Sequence, residues 1–358
     1  MKKTCLYLGL LAVLPLAGME PMMKTVDKEL KRDSRVLREK QWNISFGSSG
    51  MVLRNLVDLD GGRLIRQKWG DYFFGLSHGS VNNGSWCGWN FFSCAGTDGK
   101  SIPENSPVRK VTLVKFSDGS AADFLWDGLS IRMIQFSGVK DWVFMRVKSA
   151  APLKSVIFRA WPGGAHWEAP GRERRLKIAD KDFDLTRKQV DIPLERNGLA
   201  LYNRNYSEEY GNYLVFEADK YDKLTGYSDN SVSLTFFPKK DQGEFHFALG
   251  YFFKEPPADA ISRFLVERLP NIEKMLRTID WNPAVDVSSF ESGLQQTRLL
   301  LSKLDPGAGT AFSSELELIE KAFRKARSEN DASGCAEAQE NLRKLRVRIG
   351  EQGLARFR

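Results

Sequence analysis

The chain has 358 residues, 42% of them apolar and 27% charged. That is enough for one large domain with a small companion, or for two medium domains, and too apolar for wholesale disorder. The net charge of +8 would suit an acidic partner, but the cations are spread along the whole chain without a nucleic-acid module, which excludes nucleic acid.

Residues 1–19 read as an export signal. Lys2 and Lys3 precede an apolar run from Leu6 to Ala17, closed by the small residues Ala17 and Gly18. The run is short for a membrane span. It lacks a small-x-small cleavage pattern, and Cys5 stands too early to take a lipid. Either the signal is removed, or it stays as an N-terminal anchor, the one arrangement that brings the chain to a membrane. The expected location is exported: periplasmic, cell-surface or extracellular. Residues 20–41 interleave Lys, Arg, Asp and Glu and read as a charged lead-in, helical or flexible.

From Trp42 to residue 255 the texture is that of strands and turns. Val143, Met145 and Val147 recur at every second position, as do Val232, Leu234 and Phe236, and again Phe245, Phe247 and Leu249. Period two buries one face of an antiparallel sheet and leaves the other wetter. Turn signals stand at Asp60-Gly61-Gly62, Asp118-Gly119, Asp127-Gly128 and Asn197-Gly198. Many short strands without crossover helices predict a mainly β chain built as a large antiparallel β-sandwich.

Pro256-Pro257 opens a helical stretch over 256–281, expected to pack on the sandwich. Ile261, Phe264, Leu265 and Leu269 recur at helical spacing, Pro270 breaks or restarts the helix, and Trp281-Asn282-Pro283 ends it. Residues 289–352 then predict a helical bundle or hairpin. Ser288 with Glu291 and Ser314 with Glu317 make capping-box patterns. Asp305-Pro306-Gly307 and Ser333-Gly334 separate three stripes: Phe290, Leu294, Thr297, Leu301, Leu304; then Leu316, Ile319, Phe323, Ala326; then Cys335, Ala338, Leu342, Leu345, Ile349.

Residues 44–65 carry a strand, a Gly turn and a hairpin with Leu56, Asp58 and Gly61 at Leu-x-Asp-x-x-Gly spacing. This resembles the opening of the galactose-mutarotase-like supersandwich domains of carbohydrate-active proteins. The strand Phe245 to Phe253, followed by Pro and a helix, resembles the end of such domains, so the likeness would cover residues 42–281. It implies a sheet face that binds sugar, with His and carboxylate side chains performing acid–base chemistry in the enzymatic members. None of the three His residues here aligns with those positions.

Three constellations would carry function. In Trp86-Cys87-Gly88-Trp89-Asn90-Phe91-Phe92-Ser93-Cys94, a Cys87–Cys94 disulfide would close a small loop. Trp86, Trp89, Phe91 and Phe92 would then offer flat faces to a pyranose, or would fold back to plug the sandwich around two separate thiols. His78 lies nearby. In Trp161-Pro162-Gly163-Gly164-Ala165-His166-Trp167-Glu168, an extended chain puts His166 and Glu168 on one side, ~7 Å apart. Catalysis by His166 and Glu168, with His78, ligand contact with Trp161 and Trp167, or a structural loop are the alternatives. Tyr202 and Asn203 head a polar-aromatic stretch that suits a binding loop or a wet strand edge. Arg172, Arg174, Arg175 and Lys177, followed by Asp180, Asp182 and Asp184, read as a solvated hairpin. The acidic alternation lacks the Gly and terminal Glu of a calcium loop, so no metal and no cofactor is assigned.

Three functions compete. One is an exported carbohydrate-binding module, without catalysis, holding a glycan. A second is an envelope structural or adaptor protein whose C-terminal helices bind another envelope protein. The third is a sugar epimerase or lyase-type enzyme.

Overall fold

The computed structural model describes four short strand segments, residues 22–24, 42–46, 52–55 and 74–78. It then describes residues 88–99, 101–102, 110–116, 118–136, 138–139, 142–162, 173–204, 210–229, 231–253, 255–282, 288–304, 306–329 and 331–354. The export signal and most of the hairpin with Leu56, Asp58 and Gly61 lie outside them. Within the stretch expected to be a helical or flexible lead-in, Met22–Lys24 instead forms a strand.

The first four strands are β1 (Met22–Lys24), β2 (Trp42–Phe46), β3 (Val52–Asn55) and β4 (Phe74–His78), in the order β1-β3-β2-β4. Next come β5 (Gly88–Gly96), β6 (Ser101–Ile102), β7 (Lys110–Phe116), β8 (Gly119–Trp126), β9 (Leu129–Phe136), β10 (Trp142–Ser149) and β11 (Leu153–Trp161). The series closes with β12 (Arg174–Ile178), β13 (Lys181–Asp184), β14 (Val190–Ile192), β15 (Gly198–Asn203), β16 (Tyr210–Phe216), β17 (Tyr221–Ser228), β18 (Val232–Pro238) and β19 (Glu244–Phe253). Two antiparallel sheets result, one of nine strands in the order β13-β12-β15-β16-β19-β10-β9-β8-β7 and one of six in the order β14-β17-β18-β11-β5-β6. The chain is therefore mainly β, with its helices at the C-terminal end.

The alternating stripes explain how the sheets stack. Phe245, Phe247 and Leu249 of β19 point between the sheets, with Val143, Met145 and Val147 of β10 and Val232, Leu234 and Phe236 of β18. Phe158 sits at the centre, its ring 4.7 Å from Phe247, 5.0 Å from Phe92 and 5.8 Å from Trp89. Burying rings like these stabilises by about 2–3 kcal/mol each, with edge-on contacts adding roughly 0.5–1.5 kcal/mol.

The other face of the nine-stranded sheet is also apolar in its middle. There Trp142, Phe144, Tyr213, Ala248 and Phe252 meet helix α1 (Pro257–Arg263), a π-helical turn (Phe264–Arg268) and helix α2 (Leu269–Thr278). Phe264 stacks on Tyr213 at 4.2 Å and on Trp142 at 5.9 Å. Pro270 does not stop the helix. It has no N–H for the preceding turn and its ring crowds that turn, and the widened π turn immediately before it keeps one continuous rod.

Helices α3 (Ser288–Leu301), α4 (Pro306–Ser328) and α5 (Ala332–Leu354) follow. Phe290, Leu294, Leu316, Ile319, Phe323, Cys335, Leu342, Leu345 and Ile349 form their shared core. Ser314 caps nothing. Helix α4 begins eight residues earlier at Pro306, and the Ser314 hydroxyl donates within the helix to the Thr310 carbonyl at 3.3 Å. Among the described residues no helix is long and apolar enough to cross a membrane.

A hydrogen in place of a side chain matters at Gly250, where a Cβ would meet the Trp142 indole at 2.9 Å. That ring is already wedged by Tyr213 and Phe264. Gly250→Ala is expected to lower stability by about 1–3 kcal/mol, the usual cost of overpacking. Gly138→Ala, in open space, should stay within about 0.5 kcal/mol. Urea unfolding of both variants checks the contrast.

Candidate functional site

The sequence-derived aromatic loop is not a loop. Residues 88–96 form strand β5, and a bulge opposite Arg159 and Ala160 turns both Trp89 and Phe92 inward. Trp89 is 1% exposed and donates its indole N–H to the Gly250 carbonyl at 3.3 Å, and Phe92 is fully buried. Neither ring faces solvent. The expected disulfide is also corrected, since Cys94 carries a free, buried thiol. Burial pushes the Cys94 thiol far up, so it is no nucleophile.

Trp86, Cys87, His166, Trp167 and Glu168 lie outside the described residues. His78 closes β4, Phe91 lies in β5 and Trp161 ends β11, each placed by backbone alone. Tyr202 and Asn203 end β15 and part company, because successive strand residues face opposite ways. Asn203 is buried, whereas Tyr202 stands on the outer face.

Tyr202 opens into a cleft of about 710 Å³ between the outer face of β12, β13 and β15 and the helix α1. One wall is aliphatic: Ala258, Ile261, Leu265 and Val266, the last 71% exposed. The opposite wall is polar, with Lys177, Asp180, Asp182, Tyr202 and Arg204. Period two on the hairpin builds it. Asp182 and Asp184 share the outer face of β13, and Arg175 lies opposite Asp184 and Tyr202 on the flanking strands. The Arg175 guanidinium donates to Asp182 Oδ1 at 2.9 Å and also to Asp184. The Tyr202 hydroxyl donates to Asp182 Oδ2 at 2.7 Å. Partial burial, reinforced by Asp182, pushes the Tyr202 phenol up to about 12, so it remains a neutral O–H at ordinary pH. Ala179, in the β12–β13 turn at the rim, has φ 50°, a left-handed conformation costing ~1–2 kcal/mol for a residue with a Cβ.

The hairpin read as solvated thus forms a cross-braced wall. The stripe expected to pack on the sandwich does so at Ile261, Phe264 and Leu269, while half-buried Leu265 and exposed Val266 reach past it to the cleft.

A second polar cluster lies further along the same outer face. Asp123, Arg132, Arg146 and His246 are direct cross-strand neighbours on β8, β9, β10 and β19. Arg132 donates to both oxygens of Asp123 at 2.6 Å. His246 Nδ1 lies 2.9 Å from Glu217 and Nε2 lies 3.1 Å from Glu244. Trp281 covers the row, its ring 5.1 Å from His246 and nearly parallel to it, with the Arg146 guanidinium 5.5 Å away. The alternation that sends Phe245 and Phe247 inward sends His246 outward. No group of side chains suited to a metal ion occurs among the described residues.

Burial alone would push the Glu217 carboxyl up, but hydrogen bonds from His246 and Lys220 outweigh it and hold the group below its ordinary value of 4.5. A depressed carboxylate contributes stability that is present above the unfolded value and lost as pH falls through the folded one. Glu217→Gln should therefore flatten the acid limb of a stability–pH curve below 4.5, read by urea unfolding from about pH 6 to about pH 3. An unchanged limb would show that Glu217 gains nothing from its partners.

No family model matches the chain, and no curated protein matches it. Solved structures similar to it in part include the alpha-N-acetylgalactosaminidase NagBb from Bifidobacterium bifidum, at 9% identity and a TM-score of 0.36 over 59% of this chain and 36% of that one. A bacterial glucoamylase complexed with acarbose is similar at 12% identity and a TM-score of 0.31, over 60% of this chain and 35% of the other. YidC from Thermotoga maritima is similar at 14% identity and a TM-score of 0.26, over 60% and 53%. The chain thus spans about a third of the two carbohydrate-active enzymes and about half of YidC. Sugar-active enzymes and YidC stand side by side at these scores, and none of them lends this chain its role.

Proposed function

We propose that this chain is an exported, non-catalytic carbohydrate-binding protein whose ligand seat is the cleft between α1 and the β12–β13–β15 edge. The observation that carries the reading is the pairing of the two walls. Leu265 and Val266, backed by buried Ile261, offer an aliphatic surface, and across the cleft Asp182 is fixed by Arg175 and Tyr202. A pyranose has the complementary build, with an apolar C–H face and a rim of hydroxyls. Side chains already locked in place order little on binding, and the volume of about 710 Å³ falls within the range of small-ligand pockets. Binding is favoured over turnover because both Asp182 oxygens are committed to Arg175 and Tyr202. Export rests on Lys2, Lys3 and the apolar run Leu6 to Ala17.

The adaptor reading keeps one observation in its favour. Leu299, Leu318 and Val347, one each on α3, α4 and α5, are 58%, 68% and 49% exposed, single apolar points that a protein partner could cover.

The test is titration of the full chain with a panel of neutral, acidic and amino oligosaccharides. For a bound glycan, Tyr202→Ala and the cleft-filling Val266→Trp should each weaken affinity by at least about tenfold, or ~1.4 kcal/mol, with both variants still folded. A folded wild-type chain that binds nothing on the panel would overturn the carbohydrate reading. So would binding indifferent to both substitutions.

A further inference from the structure

Two arginines stand directly opposite each other on the outer face of the nine-stranded sheet. Arg132 of β9 and Arg146 of β10 are register partners, and like charges set face to face across two strands repel. Their surroundings treat them differently. Arg132 is closely engaged. Its Nε and Nη2 donate to the two oxygens of Asp123 at 2.6 Å, and its Nη1 donates to the Trp281 carbonyl at 2.5 Å and to Asn282 Oδ1 at 3.1 Å. Arg146 makes no hydrogen bond and no ion pair among the described residues. Its guanidinium carbon stands 5.5 Å from the centre of the Trp281 ring, a contact with the ring face that occupies none of its N–H groups. The side chain is half-buried, yet none of its nitrogens is sealed from solvent.

The carboxylates nearby are already taken. Asp123 is held by Arg132. Glu217 meets Lys220 at 2.7 Å and His246 at 2.9 Å, and Glu244 meets Lys148 at 3.0 Å and His246 at 3.1 Å. Asp280 accepts from the Asn282 backbone N–H at 2.8 Å and acts on Arg146 only through space. Burial, then the facing Arg132, push the ionisation of Arg146 down against the pull of Glu244, Asp123 and Asp280. A guanidinium nevertheless stays charged at ordinary pH. Arg146 is thus a half-desolvated cation with a full set of unused donors. Its planar fork suits an oxyanion, which accepts two parallel hydrogen bonds from it. Such an anion would also offset the repulsion between the two facing guanidinium groups.

We propose that Arg146 anchors an oxyanion-binding site on the outer face of β9, β10 and β19, walled by Trp281 and separate from the cleft at β12, β13 and β15. The group bound is a carboxylate, sulfate or phosphate, either as a free anion or as the acidic substituent of a sugar. The site stands on Arg146 and its neighbours and does not depend on what occupies the cleft.

Isothermal titration of the full-length chain at constant ionic strength tests this, with inorganic phosphate, sulfate and glucuronate as probes and glucose as the uncharged control. At least one of the three anions should saturate the wild type. Arg146→Gln should weaken that binding by at least about tenfold. Arg146→Lys keeps the charge but loses the fork, and should weaken it by roughly three- to tenfold. The lysine variant decides the matter alone if circular dichroism shows the glutamine variant unfolded. Saturation by phosphate or sulfate marks a free anion as the ligand, saturation by glucuronate alone marks an acidic sugar, and both support the site. A folded wild type that none of the anions saturates overturns the proposal, as does anion binding that both Arg146 variants retain in full. A glucose isotherm that depends on Arg146 also overturns it. So does loss of anion binding in the double variant Lys177→Gln and Arg204→Gln, because that would place the anion among the cations of the cleft.

Discussion

The nine-stranded sheet is apolar on both faces across its middle strands, and the rest of the molecule is arranged to meet that constraint. An antiparallel sheet commonly leaves one face to water. Here β10, β16 and β19 cannot, because Trp142, Phe144, Tyr213 and Phe252 line the face turned away from the sandwich interior. The six-stranded sheet covers one side, and α1, the π turn and α2 cover the other. Phe264, stacked on Tyr213 and Trp142, is the contact through which the helix is seated.

The two polar clusters are consequences of where that cover ends. The helix crosses the middle of the sheet but stands clear of the β12–β13 hairpin, so its last apolar side chains face the Arg175–Asp182–Tyr202 brace across open space. On the other side of the helix, the row Asp123, Arg132, Arg146 and His246 is roofed by Trp281. Cleft and roofed row are thus the two margins of one apolar contact. Two backbone distortions lie at the first margin: the π turn carries Leu265 and Val266, and Ala179 is held at positive φ, as is Asp241 in the β18–β19 turn. Strain of that kind persists only where the surroundings over-determine it.

What could be read from the residues was whatever is periodic. The stripes of β10, β18 and β19 and those of α3 to α5 end in the cores that their spacing implies, since period is a local property fixed by backbone geometry. Pairings between distant strands carry no such signature. Asp182 looks like one more solvated acid until β12 and β15 bring Arg175 and Tyr202 beside it, and His246 finds Glu217 only through the β16–β19 register. Trp89 and Phe92 mislead for another reason. Gly88 and the nearby aromatics suggest a displayed loop, but a bulge lets a single strand bury two rings three positions apart, which strict alternation forbids.

The sheet therefore meets its helices in two places. The pair α1–α2 is attached by rings and aliphatic side chains, an attachment driven by burial. Where the helical unit beyond Trp281 meets the sheet, among the described residues Ala332 and Ala336 pack on Val114, Phe116, Ala121 and Ile134, with Ile279 and Trp281 beside them. A chain built this way keeps the wall of its cleft rigid, because α1 belongs to the apolar attachment. The three helices that follow have their own core of Phe290, Phe323, Leu342 and Leu345, and carry Leu299, Leu318 and Val347 on their exposed sides.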